Sequence, residues 1–258
     1  MNAPKKALVA VSFGSTVEHA LTTIAAVERT LAEACPERDF FRAFTSGMVR
    51  RRLAQRGITV SSPEEILESL VREGFTDVIL QPTHVIPGSE FDKLAAAADR
   101  CRDRFDSLRL GAPLVSDAAT LTEIAGVLLE HYGSPEAGTA LLFMGHGTEH
   151  LANFIFPALQ TAFRSLGQNH AYVATVEGWP TLTDAMAQMH RDGIRRVILA
   201  PFLLTAGDHV QNDMQGDGED SWKNILTREG FAVECRCTGL GELPGILQMY
   251  RRHLRAID

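Results

Sequence analysis

An internal repeat constrains the fold of this 258-residue chain more than any other feature of its sequence. Three segments of the first half recur in the second: LVAVSFGST at 8–16 as LLFMGHGTE at 141–149, FTSGM at 44–48 as TVEGW at 175–179, and GFTDVILQPTHVIPGSEF at 74–91 as GIRRVILAPFLLTAGDHV at 193–210. The offsets are 133, 131 and 119 residues, and the order is kept. The repeat therefore predicts two similar lobes.

Short apolar runs without charged residues predict the strands of each lobe. Such runs are typical of parallel strands that are buried on both faces. The clearest runs are 7–13, 78–81, 140–144 and 197–200, and weaker candidates are 40–45, 114–116, 171–176 and 232–237. Helical patterns lie between them, including 64–72 after a Ser62 capping box and 118–131 after Asp117. The alternation predicts an α/β fold of two flavodoxin-like lobes, each a parallel sheet flanked by helices, with a cleft between them.

The segment HYGSPEAG at 131–138 has the glycine, proline and serine content of a linker. It divides the chain into an N-terminal lobe, 1–132, and a C-terminal lobe, 133–258, and leaves open whether the C-terminal helix packs on the first lobe. Ligands of open parallel α/β sheets bind beyond the carboxyl ends of the strands. The loops that follow the matched strands are therefore expected to face the cleft.

Composition excludes several classes of protein. The chain has 25 Lys and Arg against 32 Asp and Glu, a formal net charge of −7, whereas nucleic-acid-binding proteins are usually basic. No apolar stretch approaches the ~20 residues of a membrane span. The first apolar run indicates a short strand rather than the core of a signal peptide, and four cysteines are too sparse for a disulfide scaffold. We therefore expect a cytoplasmic protein with neither nucleic-acid nor membrane partners.

Three loops of the second half carry side chains that can bind a metal ion. His146 lies within Gly-His-Gly, Glu177 follows the run at 171–176, and His209 follows the run at 197–200. Each alone is more often a loop or core residue, but three on matched loops favour a site. Two imidazoles and one carboxylate suit a borderline divalent ion such as cobalt, iron, nickel or zinc, with coordination positions left open.

The first half repeats these loops without the same ligands. Phe13 is equivalent to His146, Ser46 to Glu177, and Glu90 to His209. Glu90 is either a general base near a metal ion or a carboxylate that stabilises the N-terminus of a helix beginning near Phe91.

Other polar groups of the first half give weaker signals. Gly14 and Ser15 could cradle an anion at a helix N-terminus, although no phosphate-binding loop motif is present and no nucleotide is expected. The arginines 50–52 either hold carboxylates of an acidic ligand or lie on a solvated helix face. His84 closes a predicted strand and is a further polar candidate.

The segments VSFGS, MGHGTEH, VEGWP and PFLLTAGDHVQNDM, together with the duplicated halves, resemble the anaerobic cobalt chelatases of cobalamin synthesis. These are class II tetrapyrrole chelatases, related to the protoporphyrin ferrochelatases. The resemblance covers essentially the whole chain. It implies a bilobal enzyme that inserts Co²⁺ into sirohydrochlorin, or precorrin-2, without ATP. It also implies a homo-oligomer, and the scattered cysteines give no reason to expect an iron–sulfur cluster.

The resemblance also implies roles for individual residues. His146, Glu177 and His209 would bind the metal, and His146, Glu90 and His209 would act in catalysis. The residues expected to contact the tetrapyrrole are Phe13, Gly14, Ser15, Ser46, Met48, His84 and Trp179. Three alternatives stay open from the sequence: the same reaction with Fe²⁺ to give sirohaem, a tetrapyrrole or metal carrier without catalysis, and a flavodoxin-like nucleotide-binding module.

Overall fold

The computed structural model describes residues 4–258 and contains two four-stranded parallel sheets with the same strand order. The first sheet has the order β2-β1-β3-β4 and consists of β1 (Lys6–Ser12), β2 (Asp39–Phe44), β3 (Asp77–Pro82) and β4 (Ser107–Leu110). The second has the order β6-β5-β7-β8 and consists of β5 (Thr139–Gly145), β6 (Ala171–Thr175), β7 (Arg196–Pro201) and β8 (Ala232–Cys235). The predicted pair of parallel α/β units is confirmed.

Helices flank both sheets. They are α1 (Glu18–Ala34), α2 (Gly47–Ala54), α3 (Pro63–Arg72), α4 (Ser89–Cys101), α5 (Ala118–Tyr132), α6 (Ile155–Ser165), α7 (Leu182–Arg191), α8 (Trp222–Arg228) and α9 (Pro244–Arg255). Short 3₁₀ turns occupy Arg102–Arg104, Leu151–Phe154 and Leu240–Glu242, and a π-helical turn occupies Val210–Met214. Among residues 4–258, no helix is both long and apolar enough to cross a bilayer.

Contacts divide the chain into two units. The first runs to Ser116 and includes Ile246–Asp258, and the second is Asp117–Gly245. Most of α9 therefore belongs to the first unit, where the Tyr250 hydroxyl donates to the Thr83 carbonyl at 2.7 Å. Helix α5 belongs to the second unit, whereas the predicted boundary at 132/133 assigned it to the first. The lobe boundary and the cleft stay predictions.

The registers of the two sheets reproduce the sequence repeat. Val11 lies opposite Ala43 and Pro82, as Met144 lies opposite Ala174 and Pro201. The loops after the strands follow the same pattern, because the Ser46 amide donates to the Phe13 carbonyl at 3.2 Å and the Glu177 amide donates to the His146 carbonyl at 2.7 Å. Phe13 and His146 are therefore equivalent positions, as are Ser46 and Glu177.

The central strands form because their side chains are apolar on both faces. Residues 7–11 of β1 and 140–144 of β5 are fully buried, and burial of such side chains is the main favourable term in folding. The capping box of Ser62 and Glu65 at α3 and the Asp117 cap of α5 are present as predicted.

The predicted strand at 114–116 is wrong. Leu114 and Val115 are buried, but they lie in a loop and donate their amides to the His84 and Val85 carbonyls, each at 2.9 Å. The edge strand is β4 instead. The sequence of β4, Ser-Leu-Arg-Leu, contains no continuous apolar run. Arg109 interrupts it, and its guanidinium reaches Asp77 Oδ1 at 2.6 Å, so the apolar signal of this strand is weak.

Candidate active-site residues

His146 lies on the loop after β5, and a side chain at either flanking glycine would strain that loop. A Cβ on Gly145 would lie 2.2 Å from the Phe156 ring. Gly147 has φ +84°, and a Cβ there would lie 2.7 Å from the backbone of Glu177. Glycine alone tolerates both the positive φ and the close approach. The Gly-His-Gly sequence thus brings the His146 loop against the Glu177 loop.

The structure brings His146 and His209 together. Their ring centroids are 4.6 Å apart and the rings are perpendicular. His209 immediately precedes the π-helical turn, and both residues follow the carboxyl ends of adjacent strands, β5 and β7.

A hydrogen bond through Nδ1 orients each imidazole. His146 Nδ1 lies 2.8 Å from the Gly147 carbonyl oxygen, and His209 Nδ1 lies 2.6 Å from Asp213 Oδ2. Because a carbonyl and a carboxylate only accept, each Nδ1 must carry the hydrogen, and in a neutral ring Nε2 then keeps its lone pair. Metal-binding histidines are commonly oriented in this way by a carboxylate or carbonyl. Both rings therefore offer Nε2 as a ligand atom.

The Glu177 carboxylate is not part of this pair in the structure. Its side chain is exposed, and the ligand atoms of His146, Glu177 and His209 are not all within 4.8 Å of one another. Among residues 4–258, the only group of three acidic, cysteine or histidine ligand atoms this close is Cys35, Glu37 and Asp258. That group is held by Arg38, whose Nε lies 2.8 Å from Asp258, which makes it an ion-pair cluster.

Two residues that the sequence analysis did not select support the histidine loops. Asp213 orients His209. Its position four residues after that histidine is the sequence feature that could have indicated this contact. Asn153 accepts a hydrogen bond from the Thr148 amide at 3.1 Å and donates one to the Trp179 carbonyl at 2.6 Å. It thus links the loop of His146 to the loop of Glu177, and Trp179 itself is about half exposed.

In the first unit, the residues predicted to contact substrate fall into two groups. Phe13 and Met48 are large apolar side chains that are about half exposed. The others have local structural contacts. A Cβ on Gly14 (φ +96°) would lie 2.6 Å from the Phe44 ring. Ser15 Oγ accepts a hydrogen bond from the Val17 amide.

Ser46 is the N-cap of α2, where its Oγ accepts a hydrogen bond from the Val49 amide. Beside it on α2, Arg50 pairs with Glu65 at 3.2 Å, while Arg51 and Arg52 are exposed.

Glu90 and His84 form a polar pair in the first unit. Glu90 lies in the first turn of α4 and pairs with Lys93. Burial raises the pKa of Glu90, but Lys93 and the nearby Thr45 and His84 outweigh it, so the net pKa lies below its usual value. The Thr45 hydroxyl is close to this carboxylate without the geometry of a hydrogen bond. Burial lowers the pKa of His84 to about 4, opposed by the charge of Glu90.

Two solved structures share the fold of this chain over nearly its whole length. SirB from Bacillus subtilis, solved with Fe³⁺, matches 97% of this chain and 94% of its own with a TM-score of 0.63 at 15% identity. CbiX, described as the terminal enzyme of siroheme biosynthesis in denitrifying bacteria, matches 97% of this chain and 99% of its own with a TM-score of 0.57 at 20% identity. The chain therefore has the fold of these two proteins.

The sequence identifies the family. The profile of the cobalt chelatase (CbiK) family matches residues 6–258. A sirohydrochlorin cobaltochelatase of Salmonella typhimurium is 37% identical over 252 residues, which cover 97% of this chain and 95% of the relative. A sirohydrochlorin cobaltochelatase of Nitratidesulfovibrio vulgaris, CbiKC, is 31% identical over 255 residues, covering 98% and 90%. The chain belongs to the cobalt chelatase family, as its motifs indicated, and is a metal chelatase.

Proposed function

We propose that this chain is a sirohydrochlorin cobaltochelatase, which inserts Co²⁺ into the macrocycle without ATP during cobalamin synthesis. The observation that carries the proposal is the pair of oriented imidazoles, His146 and His209, on adjacent strand ends of a cobalt chelatase family member. The 37% identity to a sirohydrochlorin cobaltochelatase supports the choice of macrocycle.

His146 and His209 bind the incoming Co²⁺ through Nε2, since hydrogen bonds occupy both Nδ1 atoms. Glu177 supplies the third ligand once its exposed side chain turns toward the pair. Imidazole and carboxylate ligands suit cobalt. They also suit delivery, because the ion must leave the protein for the four nitrogens of the macrocycle.

Metal insertion must also remove two pyrrole N–H protons. One imidazole nitrogen cannot hold a metal ion and a proton at the same time, so His146 takes a proton only after it releases the ion. Glu90 is the other proton acceptor. Its lowered pKa keeps it ionised at neutral pH, as an acceptor requires.

The exposed apolar side chains Phe13, Met48 and Trp179 contact the face of the macrocycle. Gly14, Ser15 and Ser46 contact its periphery. His84 has no exposed ring nitrogen, so any contact with substrate requires movement around it. A cytoplasmic location, a homo-oligomeric assembly, and a division of the chain into lobes 1–132 and 133–258 belong to the same proposal.

The test is an anaerobic assay with purified protein, sirohydrochlorin and limiting Co²⁺ or Fe²⁺, followed by absorption spectroscopy. We expect many turnovers with Co²⁺, well above the protein-free rate. Faster turnover with Fe²⁺ would reassign the protein to sirohaem synthesis. Stoichiometric binding without turnover with either metal would make it a carrier.

A further inference from the structure

His84 is an anomaly of the first unit. Both of its ring nitrogens are buried and lack hydrogen-bond partners among residues 4–258, although part of the residue is exposed. Glu90 Oε2 is likewise buried without a partner. A buried polar atom without a partner destabilises a folded protein, so such atoms call for an explanation.

The position of His84 is fixed by the loops around it. It follows β3 by two residues, and its carbonyl accepts a hydrogen bond from the Leu114 amide. The preceding Thr83 is hydrogen-bonded to Ser12 at 2.8 Å. The imidazole therefore stays at the carboxyl edge of the first sheet, which is the edge where ligands of such sheets bind.

Glu90 is the charged group that acts on His84. The Glu90 charge opposes the effect of burial on the pKa of His84, and Lys93 and His84 in turn lower the pKa of Glu90. No hydrogen bond joins the two residues. Both groups have lowered pKa values, so at neutral pH the Glu90 carboxylate is ionised and the His84 imidazole is neutral, and each can accept a proton.

We propose that His84 accepts protons from Glu90 during metal insertion; this inference rests on the proposed role of Glu90. A pyrrole N–H bond breaks as the nitrogen binds Co²⁺, and the proton bonds to the Glu90 carboxylate. The carboxyl then passes that proton to a ring nitrogen of His84, which regenerates the carboxylate for the second pyrrole proton. Because both ring nitrogens are buried, movement around the imidazolium then exposes it, and it releases its proton to water. Rotation of the carboxyl or one bridging water molecule links the two groups.

The repeat supplies a matched variant. Thr83 donates its amide to the Val11 carbonyl and Phe202 to the Met144 carbonyl, both at 2.8 Å, so the residue equivalent to His84 is Leu203. The fold accepts leucine at this position in the second unit. We therefore expect His84→Leu to fold, with a melting temperature equal to or above that of the wild type, because it removes two unsatisfied nitrogens.

The experiment measures cobalt insertion into sirohydrochlorin by the full chain and by His84→Leu, His84→Gln, Glu90→Gln and the double variant Glu90→Gln/His84→Leu. Gln keeps a polar side chain but accepts no proton, and His131→Leu, at an exposed position of α5, is the control. Both His84 variants should lower kcat about tenfold or more with unchanged KM and unchanged Co²⁺ binding. Their rates should rise with buffer concentration, since the buffer replaces the lost acceptor. The double variant should be no slower than Glu90→Gln.

Wild-type kcat in His84→Leu, while Glu90→Gln is slow, would overturn the role of His84 alone. A loss of activity that follows a loss of melting temperature, with no dependence on buffer, would also overturn it. Wild-type kcat in Glu90→Gln would instead remove the proposed role of Glu90 and this inference with it.

Discussion

The imidazole rings of His146 and His209 lie edge to face, with their centroids 4.6 Å apart. Each ring is fixed through Nδ1 by its own acceptor, the Gly147 carbonyl or the Asp213 carboxylate. The pair therefore offers two Nε2 lone pairs from two adjacent loops of one sheet. Two oriented imidazoles with open positions beside them can hold a divalent ion and still release it.

His146→Ala should abolish cobalt insertion and leave the fold intact. The change removes one of the two proposed imidazole ligands from a partly exposed loop residue, so little core packing is lost. We expect a loss of about 100-fold or more in kcat/KM, measured under anaerobic conditions. His190→Ala is the control, because His190 is an exposed histidine on α7. Retained insertion by His146→Ala would rule out its proposed role.

Asp213→Ala should weaken cobalt binding by about 10- to 100-fold, because carboxylates that orient metal-binding histidines have effects of this size. The lost hydrogen bond leaves His209 free to rotate and to exchange its tautomer. Calorimetric titration with Co²⁺ measures the affinity. Asp208→Ala removes a neighbouring exposed carboxylate that accepts a hydrogen bond from Asn212, and this variant should bind cobalt normally. Equal affinities in the two variants would argue against an orienting role.

Gly147→Ala should disrupt the histidine loop. The new Cβ would meet the Glu177 backbone at 2.7 Å in a residue with φ +84°, and strain of this kind costs about 1–3 kcal/mol. The free energy of unfolding, measured in urea, and the rate of cobalt insertion should both decrease. Gly167→Ala is the matched control, since its φ is +79° with nothing within 4 Å of the added Cβ. It should lose stability and keep activity; a normal rate in Gly147→Ala would contradict this account of the loop.

Stability should decline in acid partly because of His84. Its pKa falls from 6.5 to about 4 through burial, so the unfolded chain binds its proton first as the pH decreases. The contribution is complete above about pH 6.5 and is lost as the pH falls toward 4, with a total of about 3 kcal/mol. Urea unfolding of wild type and His84→Leu across this range measures it. The two proteins should differ in slope between these pH values, and parallel curves would show that His84 is not buried as described.

Much of the fold could be predicted because the internal repeat identifies equivalent strands and loops in the two halves. The buried strands β1, β3, β5 and β7 are apolar on both faces, so their runs stand out in the sequence. Edge strand β4 could not be predicted, because Arg109, which pairs with Asp77, interrupts the apolar run in its sequence. Leu114 and Val115 resembled a strand because a buried loop can be as apolar as a sheet.

Some features of the candidate site could likewise be predicted from the sequence, and others could not. The matched loops predicted which backbone segments would follow adjacent strands, and glycine spacing marked the close approach at His146. The tautomers of His146 and His209 could not be predicted, because they depend on contacts with Gly147 and Asp213. The lack of hydrogen-bond partners at the His84 ring nitrogens within the described part of the chain could not be predicted either, because it results from burial in the folded protein and not from the local sequence. The side chain of Glu177 is exposed, and its role as a ligand stays a prediction.

The most direct test of the account is a pulse-chase measurement under anaerobic conditions. Protein loaded with radioactive Co²⁺ is mixed with sirohydrochlorin and an excess of unlabelled Co²⁺, and the label in the product of the first turnover is counted. If His146 and His209 hold the ion that is inserted, the first product should carry the label, and the variant lacking both histidines should give none. A first product with the isotope ratio of the bulk solution would contradict the account.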